Sequence, residues 1–262
     1  MRALRIAATG MAAQQLNVET ISNNIANMNT VGFKKQRAEF EDLLYQNQER
    51  MGAQSSDTGT VVPTGIQVGS GVKTGSVYRI TTQGTLTQTG NQFDVAINGR
   101  GYFQVQMPTG DIAYTRAGNF SVNQTGQLVT TDGYSVLPQI TIPQTATAVS
   151  ISASGQVQVT IPGQTAPQQV GQLQLANFFN EAGLDAIGSN LFLQSGSSGQ
   201  PNVALPASAG FGSLQQAYTE SSNVDPVAEV TNLLVAQRAY EMNSKVITTA
   251  DQMLSTTSQM KT

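Results

Sequence analysis

The sequence predicts an α+β fold in which a helix at each end flanks a central, mainly β domain. Two observations carry this. Apolar residues recur at sevenfold spacing near both termini, and between them the apolar rhythm falls to every second residue. A third agrees: no lysine or arginine lies between Arg116 and Arg238, and that middle is rich in Gln, Ser, Thr, Gly and Val, which suits pleated faces.

In chain order, Leu4, Met11, Val18 and Ile25 form one column at the N-terminal end. Ala7, Gln14, Ile21 and Met28 form the next, giving an a/d pattern interrupted at Gln14. Four asparagines, Asn23, Asn24, Asn27 and Asn29, then crowd a short stretch that closes on Val31-Gly32-Phe33. At such a helix end Asn27, Asn29 and Thr30 offer polar partners to orphaned backbone groups. Gly32 permits a positive φ, and Phe33 anchors the turn. Residues 45–71 lack periodicity over their first half and carry Gly52, Gly59 and Pro63, the composition of a loop.

Short β runs follow at 76–89, 93–107, 113–137, 147–161 and 170–178, divided by turns such as Asn123-Gln124-Thr125-Gly126 and Asp132-Gly133. The C-terminal helix is expected to start with Asp225 as cap, Pro226 in the first turn and Glu229 close behind. Its column is Leu233, Ala236, Tyr240, Asn243, Ile247, Ala250 and Leu254. The expected domains are 1–30 with 223–262 as a coiled-coil-like helical assembly domain, 31–75 as an extended β-ribbon or loop connector, and 76–222 as the β domain. A lone helix of this length is marginal in water, and a pair is little better. The columns therefore call for further partners.

Composition narrows the function. The chain has 262 residues, is 11% charged, carries net charge −3, and contains neither cysteine nor histidine. Thiolate metal sites, Cys nucleophiles and His bases are excluded, and nothing marks a nucleic-acid binder. Neither glycine-bearing run, "GSGVKTG" or "INGRGYF", has the spacing of a phosphate cradle. No carboxylate pair can be nominated for glycan hydrolysis. No enzyme, cofactor or membrane insertion is expected, and no secretory signal is recognisable at the N-terminus.

The stretches "ISNNIANMNTVGFKKQRAEFEDLL" (21–44) and "NVDPVAEVTNLLVAQRAYEMNSKVITTADQML" (223–254) resemble the two conserved ends of the bacterial flagellar rod and hook axial protein family. "FDVAINGRGYFQV", "YTRAGNFSVNQTGQLVTTDGYSVL" and "LQLANFFNEAGLDAIGSNLF" resemble its central β region, so the likeness spans nearly the whole chain. It is strongest toward the distal-rod branch, since hook members carry a larger central insertion and small proximal members largely lack the β body. The resemblance implies a structural subunit that self-assembles into the tubular distal rod, transmits torque to the hook and encloses an export channel. Implied partners are copies of itself, other rod subunits, the hook protein or hook junction, the envelope P and L ring proteins, the rod cap and the type III export apparatus. It implies a place in the basal body from periplasm to outer membrane, with export without a cleaved signal.

By the same resemblance, self-assembly falls to Leu4, Met11, Val18, Ile21, Ile25 and Met28 at one end and Leu233, Tyr240, Ile247 and Leu254 at the other. The junction Asn23, Asn24, Asn27, Asn29, Gly32 and Phe33 would meet neighbouring subunits. A rod-stiffness segment, 45–63, includes Tyr45, Gln46, Gly52, Ser55, Ser56 and Pro63. Phe40 and Leu44 resemble an early-export element. The alternatives are another rod subunit, a short hook-like axial protein, or a β-rich adhesin or phage fibre module, the last two having no need of apolar heptads at both ends.

Overall fold

The computed structural model describes residues 2–49, 64–164 and 166–260. Its backbone divides into two compact units. Unit 1 gathers residues 1–25, 36–78 and 226–262; unit 2 gathers 26–35 and 79–225.

Unit 1 holds the two long helices, α1 (Arg2–Ala26) and α2 (Pro226–Gln259). Helix α2 begins at the proline, where the missing N–H costs no internal bond. The helices run antiparallel. The Asn24 side chain near the end of α1 donates to Glu229 Oε2 near the start of α2 at 3.3 Å, whereas Gly10 sits so close to Asn243 that a Cβ would lie 3.0 Å from its Nδ2. The side chains they bury are mostly small or polar: Ala7, Ala13, Thr20, Ile21 and Asn24 on α1, and Glu229, Ala236 and Ala250 on α2. The rest of the unit is a two-stranded ribbon. Strand β1 (Gln36–Asp42) pairs with β4 (Val72–Arg79), and β2 (Tyr45–Glu49) pairs antiparallel with β3 (Ile66–Gly69). The Leu43 N–H to Gly71 O and Ser70 N–H to Leu44 O bonds carry the ribbon across the link between the two pairs.

Unit 2 is all β apart from one 3₁₀ turn. Its strands are β5 (Leu86–Gln88), β6 (Val95–Asn98), β7 (Tyr102–Gln106), β8 (Ile112–Thr115), β9 (Ser121–Val122), β10 (Leu128–Val129), β11 (Ser135–Leu137), β12 (Ala148–Ile151), β13 (Gln156–Thr160), β14 (Gln168–Gln172), β15 (Leu175–Asn177), β16 (Asp185–Gly188), β17 (Leu191–Leu193), β18 (Asn202–Ala204), β19 (Ser213–Gln216) and β20 (Tyr218–Glu220). The largest sheet has the order β16-β17-β8-β7-β11-β10-β9, with β15 bridging β7 and β18. Strands β12-β13-β14 form a meander, and β6 and β5 pair with β19 and β20 respectively.

The core of unit 2 is made of large side chains. Val95, Ile97, Phe103, Val105, Val136, Val157, Val159, Leu173 and Leu175 are essentially inaccessible to water. In β12 and β13, buried Val149, Ile151, Val157 and Val159 alternate with less buried Ser150 and Gln158, as a one-sided sheet requires. Strand β7 is buried on both faces. Phe103 meets Phe120 edge-on at 5.0 Å, and on the other side Tyr102 packs with Phe178 and Phe192. In "NQT", the Asn123 side chain accepts from the Thr125 and Gln127 N–H groups, and Gly126 takes φ 82° to close the turn. The strands from Asp185 to Glu220 are absent from the predicted β runs. Strand β16 is exposed at all four positions and shows no alternation to read.

Candidate functional site

The Asn-rich junction follows α1 in the chain and precedes the ribbon, and each unit buries one glutamate from the C-terminal part of the chain. In unit 1 Asn24 is almost wholly buried. Its Oδ1 accepts the Gln36 N–H at 2.8 Å and its Nδ2 donates to Gln36 O at 2.8 Å, so one side-chain amide copies a backbone β-pair. The same Nδ2 reaches Glu229, itself buried. Asn23, one residue earlier, is exposed.

In unit 2 the turn continues. Thr30 Oγ1 donates to Asn27 Oδ1 at 3.1 Å, and the Phe33 N–H returns to Thr30 O. Met28 and Asn29 face outward, and Phe33 is half-buried. Gly32 takes φ 71° and donates its N–H to Glu220 O at 2.8 Å; a Cβ there would stand 2.7 Å from the Ala117 nitrogen. Both the positive φ and the close approach demand glycine. Asn190 Nδ2 donates to Val31 O. The Lys35 N–H donates to Asn223 Oδ1 at 2.7 Å, while Asn223 Nδ2 donates to Ile80 O and Thr82 O.

Behind the turn sits a buried ionic cluster. Glu220, 1% exposed, receives Lys34 Nζ at 2.5 Å on Oε1, and Arg116 Nε at 2.9 Å and Nη2 at 2.8 Å on Oε2. The Gly84 N–H adds a further bond to Oε1. Arg116 Nη1 donates to Gly99 O and Gly101 O, and Lys34 Nζ also donates to Thr82 O. Burial, and then the neighbouring Arg116 charge, push the Lys34 ammonium below its ordinary pKa, while Glu220 pulls it back up. This network is fully paired and so has no free valence for chemistry. It fixes geometry.

The assembly columns predicted along the helices are placed as follows. Leu4, Met11, Val18 and Ile25 are half-buried and Ile21 is buried. Leu233 and Ile247 are half-buried; Tyr240 and Leu254 are more than two-fifths exposed. Val18 and Tyr240 line a groove of about 340 Å³ with Gln15, Glu19, Gln237 and Glu241. Helix α2 carries a second apolar stripe that sequence reasoning missed. Val235, Met242, Val246 and Met253, spaced by seven, four and seven residues, are all exposed and lie on a separate side from Ala236, Asn243 and Ala250. Of the proposed export element, Phe40 is half-buried in β1 and Leu44 is 87% exposed beyond it. Tyr45 and Gln46 are exposed at the start of β2; Gly52, Ser55, Ser56 and Pro63 lie outside the described residues. Among the described residues there is no acidic cluster able to hold a metal, and no helix is long and apolar enough to cross a membrane.

Comparison with known proteins gives matches along most of the chain. Residues 4–34 match the flagella basal body rod protein family, 96–159 the flagellar hook protein FlgE/F/G D1 domain, and 215–260 the flagellar basal body rod FlgEFG protein C-terminal family. The flagellar basal-body rod protein FlgG of Caulobacter vibrioides is 67% identical over the whole of both chains, and that of Borreliella burgdorferi is 47% identical over 100% of this chain and 99% of its own. FlgF of Caulobacter vibrioides is 35% identical over 88% of this chain and 85% of its own.

Proposed function

The chain belongs to the flagellar basal-body rod protein family, on its FlgG side, and is a structural subunit of the distal rod; from that premise we propose how it builds the shaft. Helices α1 and α2 form a coiled-coil-like inner layer around the export channel, and the β body forms an outer layer that turns inside the envelope P and L rings. The subunit repeats as a helical homopolymer, joins other rod subunits proximally and the hook or its junction distally, and grows beneath a rod cap. Export runs through the type III apparatus without a cleaved signal. The segment 45–63 wedges between neighbouring subunits and stiffens the shaft.

The observation that carries this reading is the second stripe of α2. A helix that has spent one side on α1 yet exposes four further apolar residues at heptad-like spacing is made to be covered again. Neighbouring positions separate the two sides. Val246 lies on the open stripe, and Ile247 lies on the side of Ala236 and Ala250. Val246→Asp is expected to leave the monomer's helical content and β body intact but abolish polymerisation, because a charge would be desolvated at every lattice contact. Ile247→Asp is expected to abolish polymerisation and loosen the helix pair as well. Sedimentation and electron microscopy of purified subunits read both. Rods of normal length from Val246→Asp would refute the reading.

A further inference from the structure

Two buried cations in unit 2 share one buried carboxylate, and the three come from far apart in the chain. Lys34 lies 186 residues before Glu220 and Arg116 lies 104 before it. The side chains of all three are at most 4% exposed. The other acid nearby, Glu181, is half-buried and accepts from the Tyr102 hydroxyl at 3.2 Å. We propose that Glu220 is the closing lock of unit 2: without its carboxylate the β body cannot hold Lys34 and Arg116 together, so it closes only once the segment 218–224 is in place.

The physical ground is asymmetric. A buried ion pair is worth little against apolar groups of the same size, but removing one partner strands an unpaired charge in low dielectric. Here removal of Glu220 strands two like charges against each other. The same segment supplies further stitches: Glu220 O to the Gly32 N–H, the Ser221 N–H to Thr85 O, and Asn223 to Lys35, Ile80 and Thr82. Synthesis delivers a chain from its N-terminus. Strands β6 to β8 with Arg116, and Lys34 before them, therefore exist long before the anion that neutralises them. During that interval the charge pair opposes closure, and the nascent β body is held open.

The test uses the full-length monomer and amide hydrogen exchange at β6 and β7. Glu220→Gln keeps the shape and removes the charge, and it is expected to cut protection there by at least roughly a hundredfold. Lys34→Met alone is expected to lower protection, because it breaks a paired site. Added to Glu220→Gln it is expected to raise protection, because it removes a stranded charge. That reversal of sign distinguishes a charge lock from a generic packing role. In pulse-labelled refolding of the wild type, β6 to β8 should gain protection in the same phase as residues 218–221. Three results would each overturn the proposal: wild-type protection in Glu220→Gln, failure of Lys34→Met to restore any when added to Glu220→Gln, or β6 to β8 closing before residues 218–221.

Discussion

Unit 1 and unit 2 bury different kinds of side chain. Unit 2 encloses Phe103, Phe120, Ile97, Leu173 and Leu175 almost completely, whereas the helices of unit 1 enclose chiefly alanines and leave Leu234, Val235, Met242, Val246 and Met253 to water. Each large apolar side chain taken fully from water contributes about 1.5–3 kcal/mol, so the β body carries its own driving force and the helices defer theirs. Small side chains at a helix seam allow close approach, as Gly10 beside Asn243 shows, but they release little apolar surface. The lesson is a division of labour. One unit is finished within a single chain, and the other leaves a large apolar side on α2 open to water.

Mutations can break this contrast or sharpen it. The largest effect is expected from Phe103→Ala, which empties a fully buried site edge-on to Phe120. It should cost unit 2 about 3–5 kcal/mol, read as a lowered denaturation midpoint by tyrosine fluorescence. The helical circular dichroism of unit 1 should hold through that transition; if it melted in step, the two units would be one cooperative body. A middling effect is expected from Ala236→Leu. Overpacking this buried position should cost about 1–3 kcal/mol, seen in the helical signal and not in unit 2. The smallest is Lys73→Gln, which removes the ribbon's exposed 2.9 Å pair with Glu41. No measurable shift in either midpoint is expected, since surface pairs of this kind are largely offset by solvation and side-chain entropy. A clear shift would mean that the ribbon is held more by charge than by its backbone ladder.

Much of this architecture was legible in sequence. The sevenfold columns mark α1 and α2, and Asp225-Pro226 marks where α2 begins. The period-two runs mark the strands from β5 to β15, and alternation is strongest in β12 and β13. Strands after Asp185 are three or four residues long and partly exposed, so no window could register them. At the junction, the positive φ of Gly32 follows from helix-end geometry and was readable. The fates of Asn23 and Asn24, or of Lys34 and Lys35, were not. Adjacent identical letters are buried to different degrees because the deciding partners, Glu229 and Glu220, lie some 200 residues away. The one available hint was that Arg116 and Glu220 are charges set in or beside a stretch almost free of them.

The bracket between Asn24 and Gln36 has a mechanical consequence. Two amide bonds join the end of α1 directly to the start of the ribbon, so the turn from 25 to 35 runs in parallel with a short strut. A load entering the chain at Gln36 passes into the helix through the strut and leaves the turn unstretched. The two bonds share that load side by side, as in a sheet sheared along its strands, so they must fail together and not one after the other. In a structural subunit of a shaft, that arrangement keeps the Gly32 conformation outside the path of a load applied at Gln36.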